Sequence, residues 1–193
     1  MYPPFSQALT FLISTLINLY FFSILLRFLF TYFHIDKRNP FFPFILKITD
    51  PVWVPLQKGL PQYSKFDLTP VVLLCSLKCV EFLLISLINR GILPGLTSLI
   101  IWTLGESMSQ IINVFFLAVL MVAILSWFQP RAYSPFTEIL VRMTEPLMMP
   151  ARRLIPSGLG IDLSPLFVLI TLKLIDILLA HPLMQLGLKL SFQ

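Results

Sequence analysis

The sequence predicts an all-α membrane protein: four transmembrane helices forming two parallel tandem hairpin repeats, each with an interfacial amphipathic helix on its cytoplasmic side. Three observations predict it. The chain is 57% hydrophobic and only 12% charged, far from the balance of a soluble domain. Several apolar stretches exceed the roughly 20 residues that a helix rising about 1.5 Å per residue needs to cross a bilayer. The sequence also matches itself, without a gap, at an offset of 95 residues, the mark of an internal duplication.

The duplication is carried by rare residue types. Pro40, Pro51, Pro55, Pro61 and Pro70 recur as Pro135, Pro146, Pro150, Pro156 and Pro165. Thr49 recurs as Thr144, Asp67 as Asp162, Asn18 as Asn113 and Lys78 as Lys173, while Asp50 is answered by Glu145, Lys47 by Arg142 and Glu81 by Asp176. This divides the chain into residues 1–93 and 94–193. Each copy reads as span, structured loop, span, at about 9–33 and 69–89, then about 106–128 and 164–184. The stretch 92–104, with Pro94 and Gly95, is too short for a further span. It reads as an interfacial lead-in to span three, with a fifth membrane element as the alternative.

Orientation follows from the basic residues. One long loop holds Lys37, Arg38, Lys47, Lys58 and Lys65 and the other Arg131, Arg142, Arg152 and Arg153; the opposite side has only Arg90 and Lys189. The positive-inside rule places both long loops in the cytoplasm and both termini outside. This topology bias accounts for the net charge of +5 without a nucleic-acid partner. No Lys or Arg precedes the first apolar run, so it is not read as a cleavable signal peptide. Cys75 and Cys79 sit inside an apolar run and read as packing residues.

Within the loops, Phe41, Phe44, Ile45 and Ile48, and again Phe136, Ile139, Leu140 and Met143, fall on one helical face opposite charged residues. Such a segment lies in the interface, apolar face towards lipid. Thr49-Asp50-Pro51 and Thr144-Glu145-Pro146 are expected to end these helices, because proline disfavours helix in the residue before it. Thr69 and Ser164 are expected to be the N-caps of the second spans, with Pro70 and Pro165 at the first helical position. Arg152 and Arg153 face either lipid phosphates, worth about 1 kcal/mol each beside an anionic leaflet, or simply set the topology.

The run Asn39-Pro40-Phe41, Thr49-Asp50-Pro51, Pro55, Asp67-Leu68-Thr69-Pro70 returns as Ser134-Pro135-Phe136, Thr144-Glu145-Pro146, Pro150-Ala151-Arg152-Arg153, Asp162-Leu163-Ser164-Pro165, after a span ending Ile124 to Phe128. Over nearly the whole chain this resembles the YggT family of small bacterial inner-membrane proteins, with relatives in cyanobacteria and plastids. The second copy is the closer match; the first departs at Trp53, at Gly59 and at Tyr63-Ser64-Lys65. The resemblance implies links to osmotic-stress tolerance and potassium homeostasis, to cytochrome maturation in plastids, and to nucleoid or division-site organisation.

The residues singled out for function are Lys78 with Glu81 and Lys173 with Asp176, each pair at the middle of a second span. A lone charge there costs about 2.5–3.5 kcal/mol on the insertion scale, so the four must pair or face water. Pairing within each helix at i,i+3 is possible, though Lys before the acid is the weaker orientation. Equal depth of the two spans also makes crossed pairing available, Lys78 to Asp176 and Lys173 to Glu81, and that is the working hypothesis. Either these pairs only lock the halves together, or they line a path for K⁺ or H⁺; Asn18 and Asn113 are read as interhelical hydrogen-bonding residues. Arg27 is expected to snorkel to the cytoplasmic interface. No nucleophile with a base, phosphate loop or metal-spaced cluster is evident, and His34 and His181 lie at opposite faces. The expectation is a non-catalytic protein without metal or cofactor that organises or assists membrane partners, or forms a homo-oligomer, with anionic lipid at the cytoplasmic face. A channel or channel accessory in ion homeostasis is the alternative.

Overall fold

A computed structural model describes residues 3–59, 67–128, 134–154 and 162–191. Among them all regular structure is helical: α1 (Pro4–Tyr32), α2 (Phe41–Gly59), α3 (Thr69–Arg90), α4 (Leu96–Phe128), α5 (Pro135–Leu154), α6 (Ser164–Ile175), a π-helical turn (Asp176–Ala180) and α7 (His181–Leu190). Four helices are long and apolar enough to cross a membrane: Pro4–Tyr32, Thr69–Asn89, Leu96–Ser126 and the continuous Ser164–Leu190. The protein is therefore a multi-pass membrane protein.

Two boundary expectations are corrected. Residues 96–104 belong to α4, which needs no separate lead-in: the Pro94-Gly95 break precedes the helix, and at 33 residues and about 50 Å it extends well beyond the hydrocarbon core. The loop helices also do not stop at their prolines. Pro51 and Pro55 lie inside α2, and Pro146 and Pro150 inside α5. A four-residue spacing places both missing donors on one face, and Pro51, Pro55 and Pro150 are exposed there, where the freed carbonyls can be solvated and the helix bends rather than breaks.

The helix faces also differ from expectation. On α5, Ile139, Leu140 and Met143 are buried against the bundle, not laid onto lipid. On α2 only Ile45 of the corresponding set is buried, while Phe41, Phe44 and Ile48 stay partly open. The second spans begin at Thr69 and Ser164, so Pro70 and Pro165 occupy the second helical position, not the first, still within the turn where no backbone donor is needed. Helix α3 closes on Gly91 in the left-handed conformation. In span four His181 donates its backbone N–H to the Asp176 carbonyl, five residues back. Pro182 has no donor for the next turn, and the helix absorbs the fault as a single π turn.

The repeats pack around α4, which contacts α3, α5, α6, the π turn and α7, while α1 packs on α2 and α3. Phe41 meets its own counterpart Phe136 at 5.8 Å between ring centroids. Next to it lies an apolar groove of about 700 Å³ lined by equivalent positions of both copies, among them Leu19 with Val114, Ser23 with Ala118 and Ile45 with Leu140.

Within the second copy the helices come closer. A Cβ on Gly187 would lie 2.7 Å from the Trp102 backbone nitrogen, and one on Gly105 2.8 Å from that of Met184. Ser98 Oγ donates to the Gly187 carbonyl at 2.7 Å. Small residues permit this approach, and in a membrane close packing is a main driving force for helix association. Gly187→Leu is expected to destabilise the protein by about 1–3 kcal/mol through overpacking. Gly95→Ala, with open space around it, should stay within about 0.5 kcal/mol. Unfolding curves in detergent check this, and equal effects of the two substitutions would contradict it.

Candidate functional site

Lys78 sits on α3, fully buried. Its ammonium donates to Asn18 Oδ1 of α1 at 2.6 Å, to Glu81 Oε2 at 2.8 Å and to Glu106 Oε1 of α4 at 3.2 Å. Three donors thus meet three acceptors. Phe21 lies over the charge at 5.2 Å, and Gln110 bridges Asn18 Oδ1 and Glu106 Oε1 at 3.2 and 3.3 Å. Glu81 is 4% exposed and Glu106 15%. The cluster ties α1, α3 and α4 together at mid-depth with two carboxylates for one lysine.

Crossed pairing between the copies does not occur. Lys173 pairs with its own Asp176 at 3.0 Å, as Lys78 pairs with Glu81, because α4 stands between α3 and α6 and packs on both. The arrangement is nevertheless duplicated: Phe116 lies over Lys173 at 5.7 Å, 95 positions after Phe21. What differs is closure. The Lys173 side chain is 48% exposed, and Asn113 is exposed without a hydrogen bond among the described residues. Asp176 is buried and accepts from Ser109 Oγ of α4 at 2.8 Å, with His181 Nδ1 3.9 Å from its carboxylate.

Arg27 of α1 is held by the loop helix α2. Its guanidinium donates to Thr49 Oγ1 at 2.8 Å and Asp50 Oδ1 at 2.7 Å and stacks on Trp53 at 4.3 Å. This pins α2 to α1. Position 122 is Val, so the second copy lacks the tie, and Thr144 only bonds back to carbonyls of its own helix.

Asp67 and Asp162 act alike in the two copies. One oxygen of each accepts the backbone N–H of Thr69 or Ser164, both at 2.9 Å. The other accepts from Gln57 at 3.2 Å or Arg152 at 3.2 Å. The capping side chains are therefore the aspartates and not Thr69 and Ser164, which lie within the first helical turn, buried. Each aspartate clamps the end of a loop helix to the start of a span. Arg152 is engaged in this clamp, while Arg153 is exposed.

Sequence reasoning missed Glu106, Gln110, Ser109 and the Arg27 network. Glu106 carried a signal, a carboxylate within an apolar run, but its repeat counterpart is Phe11, so comparison of the copies did not select it. Among the described residues no His, Cys, Asp and Glu group could hold a metal ion.

Four apolar spans in two hairpins of one pattern, with a charged cluster sealed between them, define a polytopic membrane protein of duplicated architecture. The sequence profile of the CCB3/YggT family matches residues 6–88 and again 101–183, the second match starting and ending 95 residues after the first. The chain belongs to this family. It is 36% identical over 177 residues to the uncharacterized protein PA0392 of Pseudomonas aeruginosa, covering 91% of this chain and 90% of that one. It is 33% identical over 183 residues to the uncharacterized protein YggT of Escherichia coli K12, covering 94% of each. An uncharacterized protein of Haemophilus influenzae is 30% identical over 166 residues, 85% of this chain and 87% of that one. No solved structure matches.

Removing one member of a buried ionic cluster strands the others. Lys78→Met is expected to destabilise the protein by about 3–5 kcal/mol, and Lys78→Met/Glu81→Gln/Glu106→Gln to recover most of that loss. A triple variant no more stable than the single one in detergent unfolding would contradict this.

The Asp162 clamp has a pH signature. Burial opposes its ionisation, but the Ser164 amide and the Arg152 guanidinium outweigh it and hold the carboxyl below its usual value. A carboxylate lowered by folding stabilises above its unfolded pKa, and that contribution is lost as pH falls through the folded value. The stability gap between wild type and Asp162→Ala, about 1 kcal/mol, is therefore full above about pH 4 and narrows below it. A gap unchanged from neutral pH into strong acid would contradict the assignment.

Proposed function

We propose that the protein is a non-catalytic organising or assembly factor for partners in the bacterial inner membrane, with both long loops in the cytoplasm and both termini outside. The observation that carries the reading is the closure of the Lys78 cluster. A permeation path needs its charges hydrated, whereas a brace needs them dry and paired, and the Lys78 ammonium is fully buried with every donor used. The orientation rests on the basic residues gathered in the loops and on α2 and α5. Lys47, Lys58 and Arg153 are exposed there, where anionic headgroups would meet them.

A second reading, an ion pathway or accessory in potassium or proton homeostasis, draws on one observation: two carboxylates face one lysine, a local excess of negative charge that favours a cation. Cation flux through purified protein in liposomes separates the two, comparing wild type with Lys78→Ala/Lys173→Ala at matched incorporation. The organising reading expects no flux from folded, inserted wild type. Flux whose selectivity changes in the variant would overturn it and make the lysines the lining of a path.

A further inference from the structure

The face of α3 bearing Lys78, Cys79 and Phe82 is covered by α4. Phe82 stacks on Trp102 at 4.5 Å between centroids, Cys79 Sγ lies 3.3 Å from Thr103 Oγ1, and Lys78 reaches Glu106. The equivalent face in the second copy, Lys173, Leu174 and Ile177, is open: the Lys173 side chain is 48% exposed and the other two residues 51% and 53%. The equivalent covering surface is open as well. On α1, the counterparts of Thr103, Glu106 and Gln110 are Ala8, Phe11 and Thr15, all exposed, with Phe11 at 72%. One chain thus carries both halves of a contact it makes only once.

We infer that the open halves meet between two copies of this chain, α1 of each covering α6 and the π turn of the other. Such an interface is isologous: each residue pair occurs twice, and the assembly closes at two copies. Both copies keep the same membrane orientation, so α1 of one runs antiparallel to α6 of the other, as α4 runs antiparallel to α3 within the chain. The charge pattern fits a second copy. Where α4 brings Glu106 and Gln110 to Lys78, α1 brings Phe11 and Thr15, and Lys173 needs no further carboxylate because Asp176 neutralises it. Docking removes a half-exposed ammonium from lipid and supplies Thr15 as a hydroxyl partner within the membrane.

The test is disulfide trapping between differently tagged full-length chains co-expressed in a Cys75→Ala/Cys79→Ala background. One chain carries Leu174→Cys and the other Ala8→Cys, Phe11→Cys or Thr15→Cys. These positions are exposed in the single chain apart from the proposed contact, and elution matching wild type verifies the fold. The expected result is a covalent product of twice the chain mass from at least one pairing, a two-copy mass for wild type in nanodiscs, and no product when Leu166→Cys replaces Leu174→Cys. A one-copy mass with no product from any pairing overturns the proposal and leaves the face to lipid. A bond formed only within a doubly substituted single chain overturns it in favour of closure of α1 onto α6. Products ascending beyond two copies overturn the closed pair.

Discussion

An ammonium group at mid-membrane must be satisfied on every side, and the rest of this structure is arranged around that requirement. A lysine whose three donors find Asn18, Glu81 and Glu106 fixes the relative position of three spans at once. Elsewhere the spans offer each other mostly hydrocarbon, which lipid matches equally well. The ionic cluster therefore supplies direction where packing alone supplies little, and its acceptors come from all three helices. Close approach at Gly105 and Gly187 does the same work sterically for the second copy.

Duplication gives the molecule its plan, and departures from duplication give it its asymmetry. The aspartate clamps, the lysine and acid pairs and the phenylalanines over the lysines occur in both copies. Arg27 and Glu106 occur once, with Val122 and Phe11 at the corresponding positions. The single arginine pins α2 to α1, and the single glutamate seats α4 on α3. These differences, together with Phe82, Thr103 and Gln110 standing where Ile177, Ala8 and Thr15 stand in the other copy, accompany the closed and open halves.

Much of the fold was legible in the sequence. Apolar runs located the spans because the bilayer demands length and hydropathy together, and rare residues in register exposed the repeat. The in-turn positions of Pro70 and Pro165 followed from local chemistry. The loop helices did not: a proline pair four residues apart reads locally as a stop, whereas the helix passes through with both missing donors on one exposed face. The aspartate clamps were also missed, because capping preferences favour Thr69 and Ser164 equally and only geometry shows which side chain accepts the amide. Crossed pairing of the lysines fails because equal depth does not make helices neighbours, and α4 packs between α3 and α6; the i,i+3 alternative within each helix is the one formed. Seeking function in what the copies share selected Lys78 and Glu81 but passed over Glu106, whose importance comes from having no counterpart.

The central claim is that the Lys78 ammonium is dry and fully hydrogen-bonded inside the membrane. Nitrogen-detected magnetic resonance of lysine-labelled protein in bilayers tests it most directly, with the Lys78 signal identified by its loss in Lys78→Arg. The account predicts an ammonium whose protons exchange with water far more slowly than those of exposed Lys47. Exchange as fast as at Lys47, in protein that retains its fold, would show that water reaches the cluster and would contradict the claim.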